Sequence, residues 1–92
     1  MLNNPEETIF VGKKPLMTYV NSTIIKLSAT PSVILKARGL NIELAVDVAQ
    51  VIKQETNAFE IGTVKISSES LESKDGKFRN VSVIEIPVKR TW

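Results

Sequence analysis

Two short β-prone runs, each ending in a basic turn punctuated by glycine, alternate with two stretches of helical period, and this alternation constrains the fold of the 92-residue chain more than any other feature. Thr8-Ile9-Phe10-Val11 is an apolar run stopped by Gly12 and reads as a first strand. Pro15 suits the first position of a helix, where its missing N–H costs nothing. Leu16, Val20, Ile24 and Leu27 follow at helical spacing, so a helix is expected from about Pro15 to Ser28. Ala29-Thr30-Pro31-Ser32 is a turn. Val33-Ile34-Leu35 is then a solid apolar run of the kind carried by a strand covered on both faces, and it ends at Lys36-Ala37-Arg38-Gly39. From Asn41, which reads as an N-cap, the helical period returns. Ile42, Ala45, Ala49 and Ile52 line one stripe, and Leu44, Val48 and Val51 line a neighbouring one. A surface helix needs one apolar stripe, so the second is either deep core or a partner-facing surface, and the partner is the favoured reading.

The rest of the chain changes character. Phe59-Glu60-Ile61 and Val64-Lys65-Ile66 form one expected strand and Val81 to Lys89 another, with the Asp75-Gly76 hairpin signal between them. Ile84, Ile86 and Val88 alternate with Glu85, Pro87 and Lys89, giving one apolar face and one wet face. Pro87 cannot donate to a ladder, so the strand has a free edge there or an unpaired N–H side. Two successive strand-helix crossovers would bring the turns after the first two strands to the same end of a parallel pair. One domain over residues 8–92 is expected, preceded by a loose polar tail over residues 1–7.

The formal net charge of +2 hides a segregation along the chain. The run from Ile9 to Gly39 holds Lys13, Lys14, Lys26, Lys36 and Arg38 and no acidic residue, whereas Glu43 to Glu72 is predominantly acidic. Charge of this kind informs partners rather than fold, and two basic turns aimed from loops fit a polyanion. Lys13 and Lys14 also stand beside the start of a helix, whose free N–H groups and positive dipole end favour phosphate. Lys74, Lys77 and Arg79 add a third basic group at the hairpin tip.

The chain has no cysteine and no histidine. A disulfide framework and a thiolate metal site are therefore not expected, and the commonest general base is missing. No nucleotide-cradling glycine loop and no carboxylate cluster at metal-ligand spacing is seen, so neither an enzyme nor a metal or other cofactor is expected. The first residues have neither a basic region nor an apolar one, and no long apolar run follows, so no membrane association and a cytoplasmic location are expected.

In order, Ile9-Phe10-Val11-Gly12-Lys13-Lys14-Pro15-Leu16-Met17-Thr18-Tyr19-Val20, Val33-Ile34-Leu35-Lys36-Ala37-Arg38-Gly39, Ala45-Val46-Asp47, Asp75-Gly76-Lys77 and Ser82-Val83-Ile84-Glu85-Ile86 strongly resemble the Alba family of archaeal chromatin proteins, over about residues 8 to 90. The Gly-Lys-Lys-Pro loop and the Lys-Ala-Arg-Gly turn are specific as a pair. The resemblance implies an α/β fold of two layers, β-α-β-α-β-β with a mixed four-stranded sheet, similar to the C-terminal domain of bacterial translation initiation factor three. It also implies a homodimer, or a heterodimer with another Alba-type protein, that binds double-stranded DNA and RNA with little sequence preference and is associated with the chromosome. By the same resemblance Lys13, Lys14, Lys36 and Arg38 lie on the nucleic-acid face, Lys74, Lys77 and Arg79 lie on arms directed to the minor groove, and Lys13 or Lys14 is a candidate for acetylation. Leu40 stands where many members carry a second arginine. No aromatic occupies the end of the second helix, where members that pack side by side often have one, and Phe59 is the nearest substitute.

Each of these residues also has a plainer reading. Lys36 and Arg38 can pair with Glu43 or Asp47 on the second helix, the hairpin cations can serve to keep a strand edge soluble, and Tyr19 can be a half-buried core residue. An assembly module that turns its basic loops on an acidic protein is the reading from a different functional class.

Overall fold

The structure, a computed structural model, describes residues 7–55 and 57–92. The expected tail therefore lies outside the described residues except for Glu7, which opens the first strand. The order is β1 (Glu7–Phe10), α1 (Leu16–Ala29), β2 (Ser32–Arg38), a 3-10 turn (Gly39–Asn41), α2 (Ile42–Glu55), β3 (Phe59–Ile61), β4 (Lys65–Glu72) and β5 (Phe78–Arg90). β1 runs parallel to β2, and β5 runs antiparallel to β2 on one side and to β3 and β4 on the other. The architecture is the expected mixed sheet, except that the expected third strand is divided, so five strands are present instead of four.

Pro87 accounts for the division. The ladder of β3 with β5 ends at the pair Ile61 and Val88, and the ladder of β4 begins at Lys65 and Glu85. Between them the Gly62 N–H donates to the Pro87 carbonyl at 2.9 Å. The N and C=O of one strand residue point to the same edge, so the missing donor of Pro87 faces this gap and costs the β2 ladder nothing.

Both helices lie on one face of the sheet. Val33, Leu35 and Ala37 of β2 and Ile84, Ile86 and Val88 of β5 are buried against Tyr19, Val20 and Leu27 of α1 and Ala45, Val48, Ala49 and Ile52 of α2. Ile34, read as covered, is only half-buried, because residues of opposite parity on β2 face the side that carries no helix. The two stripes of α2 are also assigned differently. Val48 is fully buried and Leu44 and Val51 pack on the same core, so the second stripe serves the chain itself. The apolar surface left over lies on the other flank of α2, in a groove of about 370 Å³ lined by Val46, Ala49, Ile61, Val64, Ile84 and Ile86, with Gln50 and Lys53 at its polar side. Thr23 tolerates full burial because its hydroxyl donates to the Tyr19 carbonyl one turn earlier, at 2.7 Å. Among the described residues no helix is long and apolar enough to cross a membrane.

Beyond Val83 the β4–β5 hairpin leaves the body. Every residue of β4 except Glu69 is exposed, as are Phe78, Arg79 and Asn80 of β5. The radius of gyration of 14.4 Å exceeds the value of about 12 Å for a compact domain of this length, which is the signature of a projecting arm. Its turn is not the two-residue type that an Asp-Gly pair announces. Gly76 alone has a positive φ, at 81°, and its N–H donates to the Ser73 carbonyl at 3.0 Å, giving a three-residue loop.

Candidate nucleic-acid interface

The parallel pairing of β1 with β2 decides where the basic turns go. Phe10 pairs with Lys36, and the Val11 N–H donates to the Lys36 carbonyl at 2.8 Å, so the Gly12–Pro15 loop leaves the sheet beside the end of β2. Lys13, Lys14 and Arg38 are exposed and Lys36 is half-buried, all at this end. Phe10, Val11, Lys36, Ala37, Arg38 and Asn41 line a shallow depression of about 190 Å³ there. Beside it Leu40, in a turn that begins at Gly39 with φ +56°, stands fully in solvent. Asn41, read as an N-cap, is the last residue of this 3-10 turn, which runs directly into α2.

The loop is shaped by a residue that its own sequence does not include. Tyr19, 6% exposed within the first turns of α1, receives the Gly12 N–H at 2.8 Å and the Lys14 N–H at 3.0 Å on its hydroxyl oxygen. Two loop amides, those of Gly12 and Lys14, are therefore already used. The backbone of the loop is pinned in this way, while the Lys13 and Lys14 side chains stay exposed. The sequence placed Tyr19 in the core and missed this second role, which depends on a contact between a side chain and backbone seven and five residues away.

The second turn differs in its electrostatics. Lys36 and Arg38 point to the helix-free face, and their partners are not Glu43 or Asp47 on α2 but carboxylates of β4 and β5. The Arg38 Nε–H donates to Glu69 Oε1 at 2.7 Å, while Lys36 Nζ lies 3.9 Å from Glu69 Oε2 and 3.7 Å from Glu85 Oε2. Cross-strand register explains these pairs, since Lys36 is opposite Glu85 and Arg38 is opposite Val83, whose other neighbour is Ser67, two residues from Glu69. The Arg38 hydrogen bond, reinforced by the charges of Arg38 and Lys36, holds the Glu69 carboxyl below its ordinary 4.5. Among the described residues no carboxylate comes within 4.0 Å of Lys13 or Lys14.

Lys74, Lys77 and Arg79 form a separate group. Arg79 shares the helix-free face with Arg38 but lies four residues toward the tip from Val83, about 13 Å along the strand. Lys74 and Lys77 are in the tip turn, where Asp75 receives the Lys77 N–H at 3.2 Å and is hydrogen-bonded by the Ser73 hydroxyl. Phe59, the substitute considered for an end-of-helix aromatic, is buried in the core and packs against Trp92 with ring centroids 5.5 Å apart. It offers no surface for side-by-side contact.

Comparison with known proteins agrees with this geometry. The Alba family model matches residues 7–68. The "DNA/RNA-binding protein Alba" of Nitrosopumilus maritimus is 61% identical, over 98% of this chain and 97% of its own length. The protein of the same name from Methanocella arvoryzae is 43% identical, over 94% and 93%. Among solved structures, Alba from Thermoplasma volcanium superposes with a TM-score of 0.83 at 36% identity, over 91% of this chain and all of that one. ALBA1 from Trypanosoma brucei, at 20% identity and a TM-score of 0.73 over 96% of this chain and 72% of that one, shares the fold. With the family model spanning both basic turns and relatives aligned nearly end to end, this chain belongs to the Alba family.

Proposed function

We propose that this chain binds nucleic acid as a dimer with little regard to sequence, coating double-stranded DNA of the chromosome through Lys13, Lys14, Lys36 and Arg38 of both subunits while the arms, with Lys74, Lys77 and Arg79, reach along the duplex. The family is a nucleic-acid-binding, non-enzymatic one. The observation that carries the reading is the convergence of the two basic turns at one end of the parallel β1–β2 pair. Four cations gathered at one end of a sheet supply a phosphate-tracking surface without base-reading groups, which positions a protein on nucleic acid and leaves sequence unread. The names of the two relatives, both DNA/RNA-binding, support RNA as a second ligand, and a role in a ribonucleoprotein particle or as an RNA chaperone is the alternative to coating the chromosome.

The groove beside α2 supports the dimer. It joins Val46 and Ala49 to Ile61, Val64, Ile84 and Ile86 in an apolar surface of the kind a second copy covers. A homodimer is the simplest occupant, and another Alba-type chain would present similar chemistry. Acetylation of Lys13 or Lys14 would remove one phosphate contact per subunit.

Fluorescence-anisotropy titration against random DNA and RNA duplexes at several salt concentrations tests the reading. Binding should weaken steeply with salt, with a slope of about −0.9 per neutralised DNA phosphate. Indifference of both duplexes to the protein would reject it in favour of an assembly role. Val64→Glu should produce monomers in sedimentation; an unchanged assembly would remove the groove from the dimer.

A further inference from the structure

Three ion pairs engage the two cations at the end of β2. Arg38 and Lys36 share Glu69, through contacts of 2.7 and 3.9 Å, and Lys36 also meets Glu85 at 3.7 Å. Glu85 is a cross-strand neighbour of Lys36 on one side and of Lys65 on the other, so the sheet register itself holds it there. Glu69 is different. It stands on the strand that forms the exposed side of the arm, and it is the one residue of β4 that is not exposed, because its carboxylate turns in to the two cations. A carboxylate presents two oxygens to a guanidinium in the same way as a phosphodiester does, so the two are alternative partners for one fork.

We propose that Glu69 is a built-in competitor for nucleic-acid phosphate. In the free protein its carboxylate occupies the anion site of Arg38 and Lys36, and a phosphate takes both cations only by displacing it. The side chains involved are between 23% and 46% exposed, so their attraction is screened less than that of a fully solvated pair, yet incoming phosphate can reach them. With Arg38 beside it the Glu69 carboxyl is ionised at neutral pH, where the competition has to operate. Displacement also releases both ion pairs by which Glu69 ties the β4 side of the arm to the end of β2, so phosphate there frees the arm to follow the duplex. The inference rests on the reading above that Lys36 and Arg38 contact phosphate.

Glu69→Gln tests it, with Glu72→Gln as the charge-matched control. Glu72 is on the same strand with opposite parity, and it faces the other side of the arm. In anisotropy titrations on a random DNA duplex at low salt, Glu69→Gln should bind about five- to tenfold tighter than wild type, and Glu72→Gln should change affinity by about twofold or less. The gain should vanish in the Lys36→Ala/Arg38→Ala background. Because a gain of affinity is expected, loss of folding cannot imitate it. A Glu69→Gln protein that matches Glu72→Gln, or that binds more weakly than wild type, overturns the proposal; the second result would make Glu69 a residue that orients Arg38 for phosphate. A wild type that binds neither DNA nor RNA removes the functional reading as well, whereas wild-type binding with no effect specific to Glu69 removes the competitor alone.

Discussion

The lysine loop and the end of β2 carry two cations each and lie side by side, yet they are built in opposite ways. Lys13 and Lys14 project from a loop whose backbone is pinned by the Tyr19 hydroxyl, and among the described residues they meet no carboxylate. Lys36 and Arg38 project from a strand, and both are engaged by Glu69. The first site spends its local interactions on shape and leaves its charge available, while the second has its charge partly neutralised before any ligand arrives. Cations counted along a sequence are therefore not equivalent to cations available at a surface.

Removing each cation pair in turn should give unequal losses. Lys13→Ala/Lys14→Ala should lower DNA affinity by roughly a hundredfold at low salt, and for a dimer it should reduce the salt slope by about 3.6, or four phosphate contacts. Lys36→Ala/Arg38→Ala should lose roughly tenfold, since the removed charges were already compensated by Glu69 and Glu85. Equal losses in anisotropy titrations would show that the ion pairs do not limit the second site.

Replacing Tyr19 by phenylalanine probes shape without charge. It leaves the Gly12 and Lys14 N–H groups without their acceptor, which should cost about 1 to 2 kcal/mol and lower the melting temperature by about 4 to 8 °C per kcal/mol. DNA affinity should fall severalfold, and the loss should add to that of Arg38→Ala because the two sites share no partner. A melting temperature and affinity equal to wild type would remove Tyr19 from the site.

The smallest effect concerns acid. The Glu69 carboxyl is lowered in the folded protein from an ordinary 4.5, by Arg38 first, and the Asp75 carboxyl from 3.8, by Ser73 first. A depressed carboxylate contributes stability that is present above its unfolded value and is lost as pH falls through the folded one. Thermal melts from neutral pH downward should therefore lose stability below about pH 4.5, and Glu69→Gln should show a shallower acid limb than wild type. An identical limb would mean that the Arg38 contact is too solvated to matter.

Much of the fold was legible because its signals are local. Gly12 and Pro15 mark the exit from β1 and the entry to α1, and the period of Leu16, Val20, Ile24 and Leu27 marks the buried side of that helix. Pro87 announced an unpaired N–H side, and the gap between β3 and β4 lies opposite it. Other features were not legible. The division of the third strand follows from Pro87 on a neighbouring strand, and the role of Val48, Leu44 and Val51 follows from how α2 sits on the core rather than from its own pattern. Likewise, nothing local to Lys36 and Arg38 distinguishes Glu69 from Glu43 as a partner.

The order of the elements, the punctuation of the basic turns and the buried face of α1 are written in the amino-acid order, because backbone propensity and apolar period act over a few neighbouring residues. The Tyr19 hydroxyl under the lysine loop, Phe59 in the core, and Glu69, 31 positions from Arg38, at its guanidinium all come from chain packing. Those contacts depend on the register of β5 between β2 and β4, and register is fixed by long-range strand pairing that local signals do not specify.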